Sequence, residues 1–546
     1  MPMNFSTPRR FAPLPVILRM ITLPLMVLAL GACSDVQRQS ASVTFASSVS
    51  ASPISASPAA ANPVSARPVS ARGNAPGSAQ PSGTGKKLME YGWDMPTASF
   101  LQEHQARLGS SPFDGLTLKL SAGQEVFRRT RFSASAVRQD IAALRAIRSP
   151  KLRDSYLSLL SGSGPGWDWF SDADWAVTQE NVRLMAGAAR AGGLRGITFD
   201  MEPYTLNPWD YASQPGAASH TFAAAQARVR ERGAAFIRTA QTAFPGIQIY
   251  ALYLLTANSS DVGTDNSQLQ SGQLQSKQLQ SNLQGSDSGL WPSFVNGMLE
   301  AAAPGTTLVE GNEHAYDYLR AEQFSAARTG VQRTLLPLVA PENRSRYQQV
   351  QLGQAIFADG VMNLWKSPRF CGYYFRSDAD RAQVLQHNVY QAMRTADETA
   401  WFYNENMDWW GSSAGGQHVP ASIVSAVREG RRRAQAGEPL GQNLSAFVPA
   451  AEAACNAKVT IGGDLLSGQP SENTRFEVNG VLQGLNDTLD PNCGTWNGGR
   501  RYGCTFPGGW SGTLRPVAAG VKFDPPIRTY QNQMEDDWAA HFVAKP

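Results

Sequence analysis

Two carboxylates, Asp200 and Glu202, stand at the end of the stretch GLRGITFDMEPY, residues 193–204. Gly196 to Phe199 reads as a short apolar strand running straight into them. On a strand, residues i and i+2 share a face, so both acids can point the same way at its exit. Two other predicted strand ends also release acids: Glu310 and Glu313 after Thr306 to Glu310, and Glu405 and Asp408 after Thr399 to Tyr403. Carboxyl groups gathered in this way suit a reaction in which one acid donates a proton to a leaving oxygen. A second acid then attacks the bond's other atom or activates water. Neighbouring negative charge and partial burial raise the donor's pKa and keep it protonated near neutrality.

The elements that must position these acids alternate along residues 86–437. Predicted strands run at Leu88 to Trp93, Phe113 to Leu120, Gly196 to Phe199, Ile247 to Leu255, Thr306 to Glu310, within Tyr347 to Phe357, and at Thr399 to Tyr403. A third strand or its loop is expected at Gly166 to Phe170. Helical spacing follows at Thr97 to Leu108, Ala134 to Arg148, Thr178 to Ala191, Thr221 to Phe244, Trp291 to Ala303, Leu319 to Leu336, Ala379 to Thr395 and Ile423 to Ala434. Some eight strand-and-helix units in this order fit an α/β fold of the (β/α)8 TIM-barrel type better than a doubly wound sheet. No dinucleotide or Walker-type glycine loop follows a predicted strand. The repeated Gln-Leu-Gln-Ser tract at 266–286 reads as a low-complexity mobile insertion near the barrel mouth.

With 546 residues the chain exceeds one core, and its net charge of +4 is slight and scattered, so nucleic acid is not an expected partner. The first residues are processing information. Arg9, Arg10 and Arg19 precede an apolar run, Ile21 to Leu30, and then Leu30-Gly31-Ala32-Cys33. This resembles a bacterial lipoprotein signal, residues 1–33, which implies cleavage before Cys33 and lipid on its sulfur. Ser34, in place of Asp, implies sorting to the outer membrane of a diderm bacterium, facing the periplasm or the cell surface. Residues 34–85 are Ser, Ala and Pro with almost no bulky apolar side chain, a disordered spacer that would hold the folded part off the membrane.

Residues 438–546 change texture to β-favouring runs punctuated by Asn, Gly, Asp and Pro, which predicts a small all-β domain. In an oxidising compartment Cys493 and Cys504 are the best disulfide pair, leaving Cys371 and Cys455 to join across the domain boundary. No close Cys-x-x-Cys exists and the 6 histidines are scattered, so neither a metal site nor a cofactor is expected.

Strand-end glutamates beside Asn, Pro and aromatics on this alternation resemble the glycoside hydrolases with (β/α)8 barrels, over roughly Lys86 to Ala434. In the large Glu/Glu clan the acid follows Asn and precedes Pro; here Glu202 has Pro203, with Met201 in the Asn position. An Asp-x-Glu pair at the fourth strand of another barrel group is similar to Asp200 and Glu202. The resemblance implies a carbohydrate substrate. Glu202 would be the proton donor, tuned by Asp200, and Glu313 the nucleophile or base, with Glu405 the rival for that role. Trp93, Asp94, Tyr204, Asn312, His314, Asn404, Asp408 and Trp409 would line sugar subsites. The duller readings are that Asp94 caps a helix, His314 satisfies a loop backbone and Trp409 packs under the rim. Two other classes stay open: a carbohydrate-binding or scaffold lipoprotein without turnover, and a polysaccharide lyase. No Gly-x-Ser-x-Gly elbow follows a strand, against an esterase. Oligomeric state is not legible.

Overall fold

The computed structural model describes residues 85–262, 272–413, 416–466, 474–483, 493–496 and 501–545. The signal, Cys33 and nearly all of the spacer lie outside the described residues.

Nine parallel strands form one sheet: β1 (Lys87–Gly92), β2 (Gly115–Leu118), β3 (Tyr156–Leu160), β4 (Gly196–Asp200), β5 (Gln248–Ala251), β6 (Thr307–Glu310), β7 (Gln351–Leu352), β8 (Ala355–Phe357) and β9 (Thr399–Asn404). Their spatial order is β7-β6-β5-β4-β3-β2-β1-β9-β8. The two ends of that order, β7 and β8, are neighbours in the chain, separated only by Gly353 and Gln354. β7 pairs with β6, and β8 pairs with β9. They are two halves of one interrupted strand, and the chain between them closes the sheet into a barrel of eight staves.

Local chemistry sets these elements. Ser133, Ser171, Thr221 and Ser377 each accept a backbone N–H in the first turn of the helix that follows, satisfying a donor the helix cannot. Gly193 ends Asp172–Gly192 in the left-handed region at φ 72°, which turns the chain directly into β4. Every residue of β4 is buried, as expected for a strand covered on both faces. At Gly196 a Cβ would lie 1.9 Å from the Gln248 carbonyl oxygen, so only glycine lets β4 start this close to β5.

Three local readings change. The third strand is Tyr156–Leu160, and Gly166 to Phe170 is loop whose Trp167 and Trp169 are buried. Part of the Gln-Leu-Gln-Ser tract is the helix Gly272–Gln284 rather than a loose insertion: Leu279 and Leu283, four residues apart, share the helix face that meets the core. Leu283 is buried and Leu279 packs on the core. The stretch Leu319 to Leu336 is α-helical over Ala321–Thr329, then widens into a π-turn at Gly330–Thr334 and tightens into a 3-10 turn at Leu336–Leu338.

The helix Val448–Asn456 belongs to the barrel, since Val448 and Ala451 join its core and Cys455 is bonded to Cys371. The C-terminal β structure begins at Val459. Beyond it lie two sheets. One runs, in spatial order, Cys493–Trp496, Arg501–Phe506, Val459–Leu466, Phe542–Lys545 and Lys522–Asp524; the other runs Val481–Leu482, Arg475–Val478, Trp510–Val517 and Arg528–Gln533. They enclose a separate core around Phe476, Tyr502 and Phe542. Cys493 and Cys504 face one another across two strands and are bonded. Cys371–Cys455 closes a loop of 84 residues, so opening it by Cys455→Ser should cost about 2–4 kcal/mol. The check is a lower urea midpoint than wild type under oxidising conditions, with the two proteins converging once a reductant opens the wild-type bond.

Candidate active site

Asp200 is the last residue of β4 and is 1 % exposed. Its Oδ2 accepts the Tyr91 hydroxyl from β1 at 2.9 Å and the Tyr204 hydroxyl at 2.9 Å, while Oδ1 accepts the Glu202 backbone N–H at 2.9 Å. The same Tyr204 hydroxyl lies 3.1 Å from Glu202 Oε2. The chain bends back after Glu202 because Trp209, fully buried, donates its indole N–H to the Met201 carbonyl at 2.8 Å.

The sixth exit is held from below. Glu310 is buried, and its carboxylate accepts the backbone N–H groups of Leu254, Leu255, Thr256 and Asn312 together with the Thr256 hydroxyl. This ties the loop after β5 to the end of β6. Asn312 then adopts a left-handed conformation (φ 50°) and donates to Gln354 at 2.8 Å, and the buried Trp401 donates to the Gly311 carbonyl at 2.9 Å. Held so, the next residue, Glu313, stands 9 % exposed, with the Tyr316 hydroxyl donating to it. At the eighth exit Tyr403 donates to Glu405 Oε1 at 2.9 Å, and the buried Asp359 accepts the backbone N–H groups of Glu405 and Asn406.

Asp200, Glu202, Glu313 and Glu405 lie within electrostatic reach of one another at one end of the barrel. Tyr91, Tyr204, Tyr253, Tyr316 and Tyr403 surround them. Tyr316 and Tyr403 stack at 5.5 Å, and Tyr91 tilts against Tyr403 at 6.0 Å. Burial, and then the charge of Glu202, push Asp200 upward, against the pull of its three donors. Burial raises Glu202, with the Tyr204 hydroxyl opposing. Glu313 is pushed well above the ordinary carboxyl range by burial and then by Glu202 and Asp200. Burial carries Glu405 up to about 7, with Tyr403 pulling it back. A cluster so arranged can hold a proton on one acid while leaving another charged at neutral pH.

These shifts fix a sign. A carboxyl whose pKa is raised on folding binds a proton that the unfolded chain has already released. Its neutral form is compatible with the fold below the ordinary carboxyl range, and stability falls as pH climbs through the raised pKa. Glu313→Gln should therefore melt above wild type at pH 8, with the gap closing towards pH 5, where Glu313 is itself neutral. A gap that widened on acidification would contradict the shift.

Of the subsite residues expected from sequence, Trp93 and Tyr204 form the open mouth. They are 41 % and 44 % exposed, with rings 5.0 Å apart edge to face. His314 is exposed on the rim, where its Nε2 approaches the Thr256 carbonyl at 3.0 Å and its ring meets Tyr253. The others are framework, and for identifiable reasons. Asp94 is buried and accepts the Trp409 N–H at 2.7 Å and the Asn404 amide at 3.1 Å, while Thr97 caps the following helix. Asn404 is spent on Asp94 and the Met407 carbonyl. Asn312 is turned to Gln354. Asp408 caps its own loop, accepting the backbone N–H groups of Trp410, Gly411, Ser412 and Ser413. Trp409 packs on Phe113 at 4.8 Å and on Phe402 at 5.7 Å. Asp359, Trp209 and the tyrosines other than Tyr204 were not singled out from sequence. For Tyr403 a signal existed, since it precedes Glu405 by two; Tyr91 is set opposite Tyr403 only by the strand register. Among the described residues no group of three or more His, Cys, Asp or Glu side chains could hold a metal ion.

No protein-family model matches the chain, and no curated protein matches it. Solved structures do resemble it at low identity. GH5_18 from Bifidobacterium longum subsp. longum ATCC 55813 is 15 % identical, with 66 % of this chain and 81 % of that one covered and a TM-score of 0.36. A Bacteroidetes-affiliated GH5 cellulase linked with a polysaccharide utilization locus is 8 % identical over 67 % and 95 %, with a TM-score of 0.35. The exo-beta-1,4-mannosidase from Opitutaceae bacterium strain TAV5 is 14 % identical over 64 % and 60 %, with a TM-score of 0.32. The barrel itself is read from the strand pairing, and the site from its own geometry.

Proposed function

We propose that the protein is a glycosidase that hydrolyses O-glycosidic bonds of an oligo- or polysaccharide. The observation that carries this reading is the meeting of Asp200, Glu202, Glu313 and Glu405, from three strand exits, inside a tyrosine ring beneath an exposed Trp93–Tyr204 mouth. Glu202 gives its proton to the glycosidic oxygen as the bond to the anomeric carbon breaks. Glu313 either attacks that carbon or takes a proton from the attacking water, and Glu405 is the rival for this step. Trp93 and Tyr204 offer flat faces to a sugar ring.

The site gathers four acids, and Arg369 acts on one of them, Glu405. An uncharged glycan suits it better than a uronate or a sulfated chain, which would meet like charge. A lyase acting on anionic sugars is disfavoured on the same ground. The lipoprotein-like N-terminal sequence supports a location in the cell envelope with lipid on Cys33.

The test is digestion of a panel of neutral, amino-sugar and uronate-rich glycans by the full chain, beside Glu202→Gln, Glu313→Gln and Glu405→Gln, with products read by mass. Water-added fragments from neutral glycans in wild type alone are expected. Activity surviving in Glu313→Gln but lost in Glu405→Gln would move the second role to the eighth exit. Unsaturated products would replace hydrolysis by elimination, and binding without products in every protein would leave a sugar-binding lipoprotein.

A further inference from the structure

Tyr204 has one hydroxyl proton and two carboxyl partners, Asp200 Oδ2 at 2.9 Å and Glu202 Oε2 at 3.1 Å. A hydroxyl donates once and accepts through its lone pairs. If both carboxyls were ionised, one of the two contacts would set oxygen against oxygen with no proton between them. Both contacts are hydrogen bonds only when one acid is protonated and donates to the Tyr204 oxygen.

The surroundings choose which acid. Asp200 is buried and has two further donors, the Tyr91 hydroxyl and the Glu202 backbone N–H. Three donors on one carboxylate stabilise its anion strongly. The side chain of Glu202 has Tyr204 as its only partner among the described residues, and it is less deeply buried than Asp200. We infer that Tyr204 is a positioning residue that sorts one shared proton, holding it on Glu202 and leaving the charge on Asp200. The order is Glu202 carboxyl to Tyr204 oxygen, and Tyr204 hydroxyl to Asp200 carboxylate. This rests on the reading of Glu202 as proton donor and says how that donor is loaded. Once Glu202 releases its proton to a leaving oxygen, the Tyr204 hydroxyl can swing from Asp200 to the new carboxylate and stabilise it. The ring meanwhile stays fixed against Trp93.

The experiment needs no substrate, so it stands or falls apart from the glycosidase reading. Infrared spectra of the full chain at pH 7 are recorded with carbon-13 in either the glutamate or the aspartate carboxyls, which separates the two residue types. In wild type, one component of the protonated-carboxyl band should shift with the glutamate label and be missing from Glu202→Gln, the components from Glu313 and Glu405 remaining. In Tyr204→Phe, which keeps the ring against Trp93, that Glu202 component should be lost. A protonated aspartate band, absent from the Tyr204→Phe/Asp200→Asn double variant, should replace it. Tyr91→Phe removes a donor from the same Asp200 oxygen without touching Glu202, and it should keep the Glu202 component. A protonated Asp200 already present in wild type would overturn the proposal. So would a Glu202 band unchanged in Tyr204→Phe, or identical behaviour of the two tyrosine variants, which would mean that the number of donors matters and the bridge does not. Should Tyr204→Phe fail to fold, 3-fluorotyrosine incorporation, which makes the hydroxyls more acidic, should change the pH at which the Glu202 band disappears; no change would equally overturn the proposal.

Discussion

Glu202→Gln should lower turnover of unactivated glycosides by about 10²- to 10⁴-fold, the range contributed by a positioned general acid, while binding to the same glycans persists. Gln matches the carboxyl in shape but has no acidic proton to give, so what is lost belongs to the transition state alone. An aryl glycoside whose leaving group departs without protonation should lose much less, and that contrast separates loss of the acid from loss of the fold. The pH profile carries the same sign. The acid must be protonated, so kcat/KM should fall as pH rises through the raised value of Glu202, which burial sets above the ordinary carboxyl range. The limb should be absent from the residual activity of Glu202→Gln. Turnover of an unactivated glycoside at the wild-type rate in this variant would remove Glu202 from the reaction.

The acids and the barrel were legible because each leaves a pattern that one chain can display. Apolar runs alternating with helical spacing mark a parallel barrel, and an acid two residues beyond another on a strand marks a shared face. What a strand-end polar residue does next is less visible. Asp94 and Asp408 have the composition and position expected of subsite residues, but backbone N–H groups claim both carboxylates. A loop cap and a ligand contact draw on the same residue types at the same places, and only the fold of the loop separates them. The interrupted strand of β7 and β8 was placed within Tyr347 to Phe357, but its break at Gly353 and Gln354 depends on Tyr250, whose hydroxyl lies where a Cβ of Gly353 would sit. The tyrosine ring went unnoticed for a different reason. Tyr91, Tyr253, Tyr316 and Tyr403 come from four separate exits, and no local spacing relates them. The helix within the Gln-Leu-Gln-Ser tract shows that low complexity and packing are compatible when two of its leucines, Leu279 and Leu283, fall one helical turn apart.

Trp209→Ala should be the most damaging single change outside the acid cluster, costing about 3–5 kcal/mol of stability and abolishing turnover together with it. Trp209 is fully buried among Trp291 at 4.6 Å, Phe294 at 5.3 Å, Trp169 at 5.5 Å and Phe127 at 5.6 Å, so truncation would leave a cavity walled by rigid rings that cannot collapse into it. Its second role is polar. The indole N–H donates to the Met201 carbonyl at 2.8 Å and to Ser161 Oγ at 3.1 Å, and Ser161 in turn donates to the same carbonyl at 2.6 Å. Met201 is the residue between Asp200 and Glu202, so this indole fixes the backbone that sets the spacing of the two acids. Trp209→Phe separates the roles. It keeps most of the packing and removes the N–H, so stability should drop only by about 0.5–1.5 kcal/mol, while turnover falls more than the folded fraction does. The comparison is a urea midpoint and a kcat for each variant. A Phe variant with wild-type turnover would confine Trp209 to the core. A loss of turnover without loss of stability would place its main effect on the peptide that joins Asp200 to Glu202.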